Sequence, residues 1–111
     1  MRFTLPIKPI STNAIWYGRK GITNAYKKFQ KEVFLLLPRH QETITGLCEV
    51  SLKVFIKKAW LMSDVDNFAK GILDCCKKGG IIKDDRFIKK LTIEKFKVEI
   101  DSVEVEINKW K

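Results

Sequence analysis

Val65-Asp66-Asn67-Phe68-Ala69-Lys70-Gly71-Ile72-Leu73-Asp74-Cys75-Cys76, residues 65–76, is the stretch whose reading decides the fold. Val65, Phe68, Ala69, Ile72, Leu73 and Cys76 recur at i, i+3, i+4, i+7, i+8 and i+11, the core-facing stripe of an amphipathic helix. The spacing predicts a helix from about Val65 to Lys78, ended by Gly79-Gly80. Asp66, Lys70 and Asp74 follow at i, i+4 and i+8 and share a polar stripe opposite the apolar one.

Before this helix, Cys48, Val50, Leu52, Val54 and Ile56 alternate with Glu49, Ser51, Lys53 and Lys57, the pattern of a strand covered on one face, with only Phe55 out of step. Further upstream, Tyr26, Phe29, Val33 and Leu36-Leu37 share a face, which predicts a first helix from about Thr23 until Pro38 stops it. Residues 2–8 read as a first strand ended by Pro9, and residues 9–22 as a long loop. Downstream, Phe87 to Phe96 and Val103 to Trp110 read as two strands of a hairpin that turns near Asp101-Ser102. The expected order is β-α-β-α-β-β: one α+β domain over residues 1–111, its helices packed on a mainly antiparallel mixed sheet.

With 111 residues, 45% apolar and 32% charged, the chain is long enough for one core and has the composition of a globular protein. Its longest apolar run, Val33 to Leu37, is far short of the ~20 residues a bilayer span needs, and Met1 to Pro6 lacks the apolar core of a signal peptide. The expectation is a cytoplasmic protein with no membrane partner. Cys48, Cys75 and Cys76 suit neither a disulfide framework nor zinc-ligand spacing and read as small core residues. His40 is the sole histidine, which argues against Cys/His or serine-triad chemistry.

Charge is unevenly spread. Residues 1–63 hold 11 Lys+Arg and 3 Glu, whereas residues 64–111 hold 11 Lys+Arg and 10 Asp+Glu, so nearly all of the net +9 lies before Asp64. Such an excess points to a polyanion, most often nucleic acid. Against that background five aspartates, Asp64, Asp66, Asp74, Asp84 and Asp85, fall within 22 consecutive residues. Acids inside a polyanion binder repel its ligand unless a hard divalent cation bridges carboxylate to phosphate. Structural roles stay open for each alone: Ser63, Asp64 or Asp66 as a helix cap, Asp66 with Lys70 as an i,i+4 ion pair, Asp84-Asp85 as a turn.

The stretch Asp64-Val65-Asp66-Asn67, with Lys70 four past the second aspartate, Asp74 four further on and then Asp84-Asp85 ahead of a strand, resembles the RusA-type Holliday junction resolvases. Pro9-Ile10-Ser11-Thr12-Asn13 is similar to the family's Pro-x-Ser-x-Asn segment, and the likeness covers about residues 5 to 107. Departures are Cys76, where leucine is usual, and Lys78-Gly79-Gly80, where a polar residue plus glycine is more usual.

The resemblance implies a homodimeric, Mg2+-dependent endodeoxyribonuclease that resolves four-way junctions by paired symmetric nicks, in DNA recombination and repair, with Mn2+ as the alternative ion and no small-molecule cofactor. It implies metal binding by Asp64, Asp66 and Asp85 and an accessory catalytic role for Lys70. Asp84 is the less certain of its pair, and Asp74 reads as structural. DNA contact is assigned to Asn13, Trp16, Arg19, Lys20 and Lys27, with Trp16 and Tyr17 suited to stacking on exposed bases or, for Trp16, to burial in a dimer interface. The compact, lysine-rich chain fits a phage or prophage source. A nuclease for other branched DNA and a non-catalytic nucleic-acid-binding module remain as alternatives.

Overall fold

The computed structural model describes residues 1–16, 18, 21–39, 42–58 and 64–110. Four strands and two helices follow in the expected order: β1 (Arg2–Leu5), α1 (Asn24–Leu36), β2 (Cys48–Ile56), α2 (Ala69–Lys78), β3 (Ile88–Lys97) and β4 (Ser102–Lys109). Both helices lie on one face of a four-stranded mixed sheet of order β1-β4-β2-β3. Among the described residues no helix is long and apolar enough to cross a membrane.

β2 is central, and its inward residues Cys48, Val50, Leu52, Val54 and Ile56 are all buried. Phe55, which broke the alternation, points to the other face and stacks on Phe96 of β3, ring centroids 5.1 Å apart. β1 is shorter than the 2–8 span predicted. Pro6 has no N–H to offer the ladder, and the Ile7 amide turns back to the Leu5 carbonyl at 2.8 Å.

The predicted hairpin does not form. β3 pairs with β2 in parallel, Val50 opposite Leu91, whereas β4 pairs with β2 antiparallel on its other side and with β1 beyond. The link 98–101 crosses the end of β2, where the Val98 amide donates to the Ile56 carbonyl at 3.1 Å and the Asp101 carboxylate accepts from the Lys57 amide at 2.7 Å. Composition explains the placement. Val103, Val105 and Ile107 of β4 are fully buried and suit an interior strand. β3 carries Lys89, Lys90, Lys95 and Lys97, a pattern that suits an edge and deters pairing with another chain.

α1 starts at Thr23, whose hydroxyl accepts from the Tyr26 amide at 3.1 Å and donates to the Ala14 carbonyl at 2.6 Å. That second bond ties the helix start to a 3₁₀ turn at Thr12–Ala14, inside the segment predicted as loop. Pro38 holds Leu37 extended and ends the helix. In α2, Gly71 permits close approach: a Cβ there would sit 2.8 Å from the Ile10 side chain. Gly80, at φ +80°, lets the chain leave α2. Cys48, Cys75 and Cys76 are buried and free, and burial pushes the Cys75 and Cys76 thiols up to about 12.

Candidate metal and nucleic-acid site

Residues expected to form one helix from Val65 divide into a 3₁₀ turn, Val65–Phe68, and α2 proper. The turn is anchored from both sides. Phe68 is buried against Val54 and Ile56 at the C-terminal end of β2 and against Ile93, and the Thr12 hydroxyl donates to the Asn67 carbonyl at 2.9 Å. With Phe68 and Asn67 fixed inward, Asp64 and Asp66 are turned to solvent. Asp64 occupies the N-cap position but makes no side-chain capping bond. Among the described residues neither carboxylate has a hydrogen-bond or ion-pair partner.

Lys70 and Asp74 sit one and two helical turns further on, and they are employed. The Lys70 ammonium pairs with one Asp74 oxygen at 3.1 Å, and the Tyr26 hydroxyl donates to the other at 3.3 Å. The pair is unevenly covered, Lys70 at 43% side-chain exposure and Asp74 at 18%, so the acid forms the fixed base on which the more exposed ammonium rests. Burial first, and the Asp74 charge second, push the Tyr26 phenol well above its ordinary value, so it stays a donor.

Asp84 and Asp85 follow α2. Asp84 caps a third 3₁₀ turn, Asp85–Phe87, accepting from the Arg86 amide at 3.1 Å, and pairs with Lys77 at 3.5 Å. The Arg86 amide, then the adjoining Asp85 carboxyl and Lys77, hold Asp84 below the usual carboxylate range. Asp85 is half-buried beside it and has no basic partner among the described residues.

The topology sets these groups apart. β2 and β3 are parallel, so α2 runs back between them, with Asp64 and Asp66 at its start by the end of β2 and Asp84-Asp85 past its end by the start of β3. The ten residues of α2, at about 1.5 Å each about 15 Å of helix, lie between the two pairs. Accordingly, among the described residues no three His, Cys, Asp or Glu side chains converge as a metal ion would require. The donor chemistry itself fits Mg2+: Asp64 and Asp66 offer hard, exposed carboxylate oxygens that no cation among the described residues pairs with.

Of the residues expected to contact DNA, Asn13, Trp16 and Lys27 are exposed, Trp16 at 44%, and Trp16 forms an antiparallel bridge with Ile22. Arg19, Lys20 and Tyr17, like His40 and Ser63, lie outside the described residues. The sequence reading missed three lysines, Lys8, Lys28 and Lys58, which the fold gathers at one groove. The available signal was the α1 spacing of Ala25, Lys28, Phe29 and Glu32 at i, i+3, i+4 and i+7, one face that mixes charge with an aromatic.

Comparison with protein families matches residues 6–108 to the family described as endodeoxyribonuclease RusA. No curated protein matches the chain.

Proposed function

Because the chain belongs to the RusA endodeoxyribonuclease family, we propose that it is a Mg2+-dependent nuclease that resolves four-way DNA junctions by paired symmetric nicks and works as a homodimer. The observation that carries this reading is the contrast within one short segment. Among the described residues Asp64 and Asp66 are held in solvent without a partner, while Asp74, two helical turns on, is committed to Lys70 and Tyr26. A protein that carries +9 and meets phosphate gains nothing from exposed, unpaired carboxylates unless a cation joins them.

Asp64, Asp66 and Asp85 are the residues that would hold the ion. A bound Mg2+ polarises the phosphodiester, lowers the pKa of a water and offsets charge on the leaving oxygen. Lys70 contributes a positive charge fixed by Asp74, able to stabilise negative charge that develops on the phosphoryl oxygens. Since one copy separates Asp64 and Asp66 from Asp85 by the length of α2, a set of three is completed between two copies, and two such sets related by a two-fold axis would nick two strands symmetrically.

The test is a comparison of four-way, three-way and linear duplex DNA with the purified protein, in Mg2+ and in EDTA. Paired nicks in the four-way junction that need Mg2+ are expected. Equal cutting of three-way or linear DNA would remove the junction selectivity, and binding without cutting in either Mg2+ or Mn2+ would leave a non-catalytic binding module.

A further inference from the structure

A groove of about 520 Å3 opens between α1, residues 8–14 and the end of β2. Its floor is apolar, built by the buried Phe29, Ile56 and Phe68 with Ile10 beside them. Around it stand Lys8, Lys28 and Lys58, against one acid, Glu32. All three lysines are exposed, and among the described residues none has an ion-pair partner. Phe68 belongs to the 3₁₀ turn that carries Asp66, so the groove and that carboxylate share one turn of the chain.

An apolar floor ringed by exposed lysines suits a ligand with a flat apolar body and anionic flanks. We infer that the groove between α1, residues 8–14 and the end of β2 receives one unpaired nucleotide of branched DNA, its base on Phe29, Ile56 and Phe68 and its neighbouring phosphates at Lys8, Lys28 and Lys58. The inference rests on the nuclease reading above and adds to it a source of selectivity. Pockets of roughly 300–1,000 Å3 hold small ligands, not a duplex, so the base must leave its stack to enter. Unstacking costs a few kcal/mol and least where pairing is already lost, which favours a branch point over linear DNA.

The probe is a four-way junction with one unpaired nucleotide at the branch point, compared with the same junction carrying an abasic residue there. Stacking on an aromatic floor contributes about 1–3 kcal/mol per base, so the wild-type protein should bind the base-bearing junction about tenfold more tightly. Ala25 is exposed on the first turn of α1 and lines the groove, so Ala25→Trp should fill it with the fold intact. With an unchanged Tm, that variant should bind both junctions at the abasic level. Lys28→Gln should lower the slope of log affinity on log salt by about 0.7–0.9. Equal wild-type affinity for the two junctions, or a preference that survives Ala25→Trp, would overturn the inference. A change in sedimenting mass with Ala25→Trp would overturn it differently, by making the groove a contact between copies. Mg2+-dependent cutting without base preference would remove the groove alone, whereas no preference for junctions over linear duplex would remove the nuclease reading with it.

Discussion

The two ends of α2 carry similar residues and use them differently. Toward and past its C-terminal end every aspartate but Asp85 has a cation or an N–H or O–H donor among the described residues: Asp74 holds Lys70 and the Tyr26 hydroxyl, and Asp84 holds the Arg86 amide and Lys77. At its start Asp64 and Asp66 hold nothing among the described residues, although Lys70 lies four residues from Asp66. A carboxylate spent on the fold cannot also be free for an ion. Residue type and local density therefore do not separate these carboxylates from one another, and the presence or lack of a partner among the described residues does.

The sharpest way to break that distinction is to neutralise one acid of each kind. Asp66→Asn should lower cleavage by at least about a thousandfold, as expected when a metal ligand is lost, while Tm stays unchanged and junction binding is kept or tightened. Equal loss of binding and cleavage would contradict the assignment. Asp74→Asn should do the reverse in proportion. It weakens a charge-assisted pair and a partly buried hydrogen bond, for a stability loss of about 1–3 kcal/mol, and because Lys70 loses its fixed base, cleavage should fall about tenfold. Full activity in Asp74→Asn would show that Lys70 needs no positioning.

Tyr26→Phe separates the two duties of Asp74. It removes only the phenol bond, so chemical denaturation should report about 1 kcal/mol lost with cleavage within about twofold of wild type. The smallest effect belongs to Asp84. Its carboxyl is held below the usual range, so it adds stability above its unfolded pKa, and that stability disappears as pH falls through the folded value. Asp84→Asn should therefore lower Tm slightly at neutral pH, and the difference from wild type should vanish in acid below the depressed pKa. A difference that persists there would mean the Arg86 cap and the Lys77 pair are not its source.

Where a segment's environment is one-sided, sequence specified it well. β2 and α2 each bury one face, and their period-2 and period-3.6 patterns name most of the buried residues, Cys48, Val50, Leu52, Val54 and Ile56 on β2 and Phe68, Ala69, Ile72, Leu73 and Cys76 along α2, while Val65 in the 3₁₀ turn is exposed and Gly71 and Cys75 are buried outside the stripe. Strand partners were less legible. Four residues between β3 and β4 suggest a hairpin, but the same four can step across the end of β2, and the Asp101 bond that fastens this step joins residues 44 apart in sequence. The Lys70 partner was open for a similar reason. Asp66 and Asp74 are both four residues away, and an acid N-terminal to its lysine is ordinarily the better helix pair. Asp66, however, lies in a 3₁₀ turn with about three residues per turn, which takes it off the Lys70 face, and Tyr26 from α1 fixes Asp74 instead. The family pattern supplied Asp64, Asp66 and Asp85 as a set, but their separation along α2 follows from the parallel β2–β3 pairing, which no local pattern announced.

That separation makes subunit complementation the most direct measurement. Asp66→Asn and Asp85→Asn chains, each inactive alone, are co-expressed with different tags and purified as the mixed dimer. If Asp64 and Asp66 of one copy act with Asp85 of the other, one of the two sites in the mixed dimer is intact, and Mg2+-dependent nicking of a four-way junction should return to about half the wild-type rate, with single nicks in place of paired ones. A mixed dimer as inactive as either parent would contradict a set of carboxylates completed between two copies.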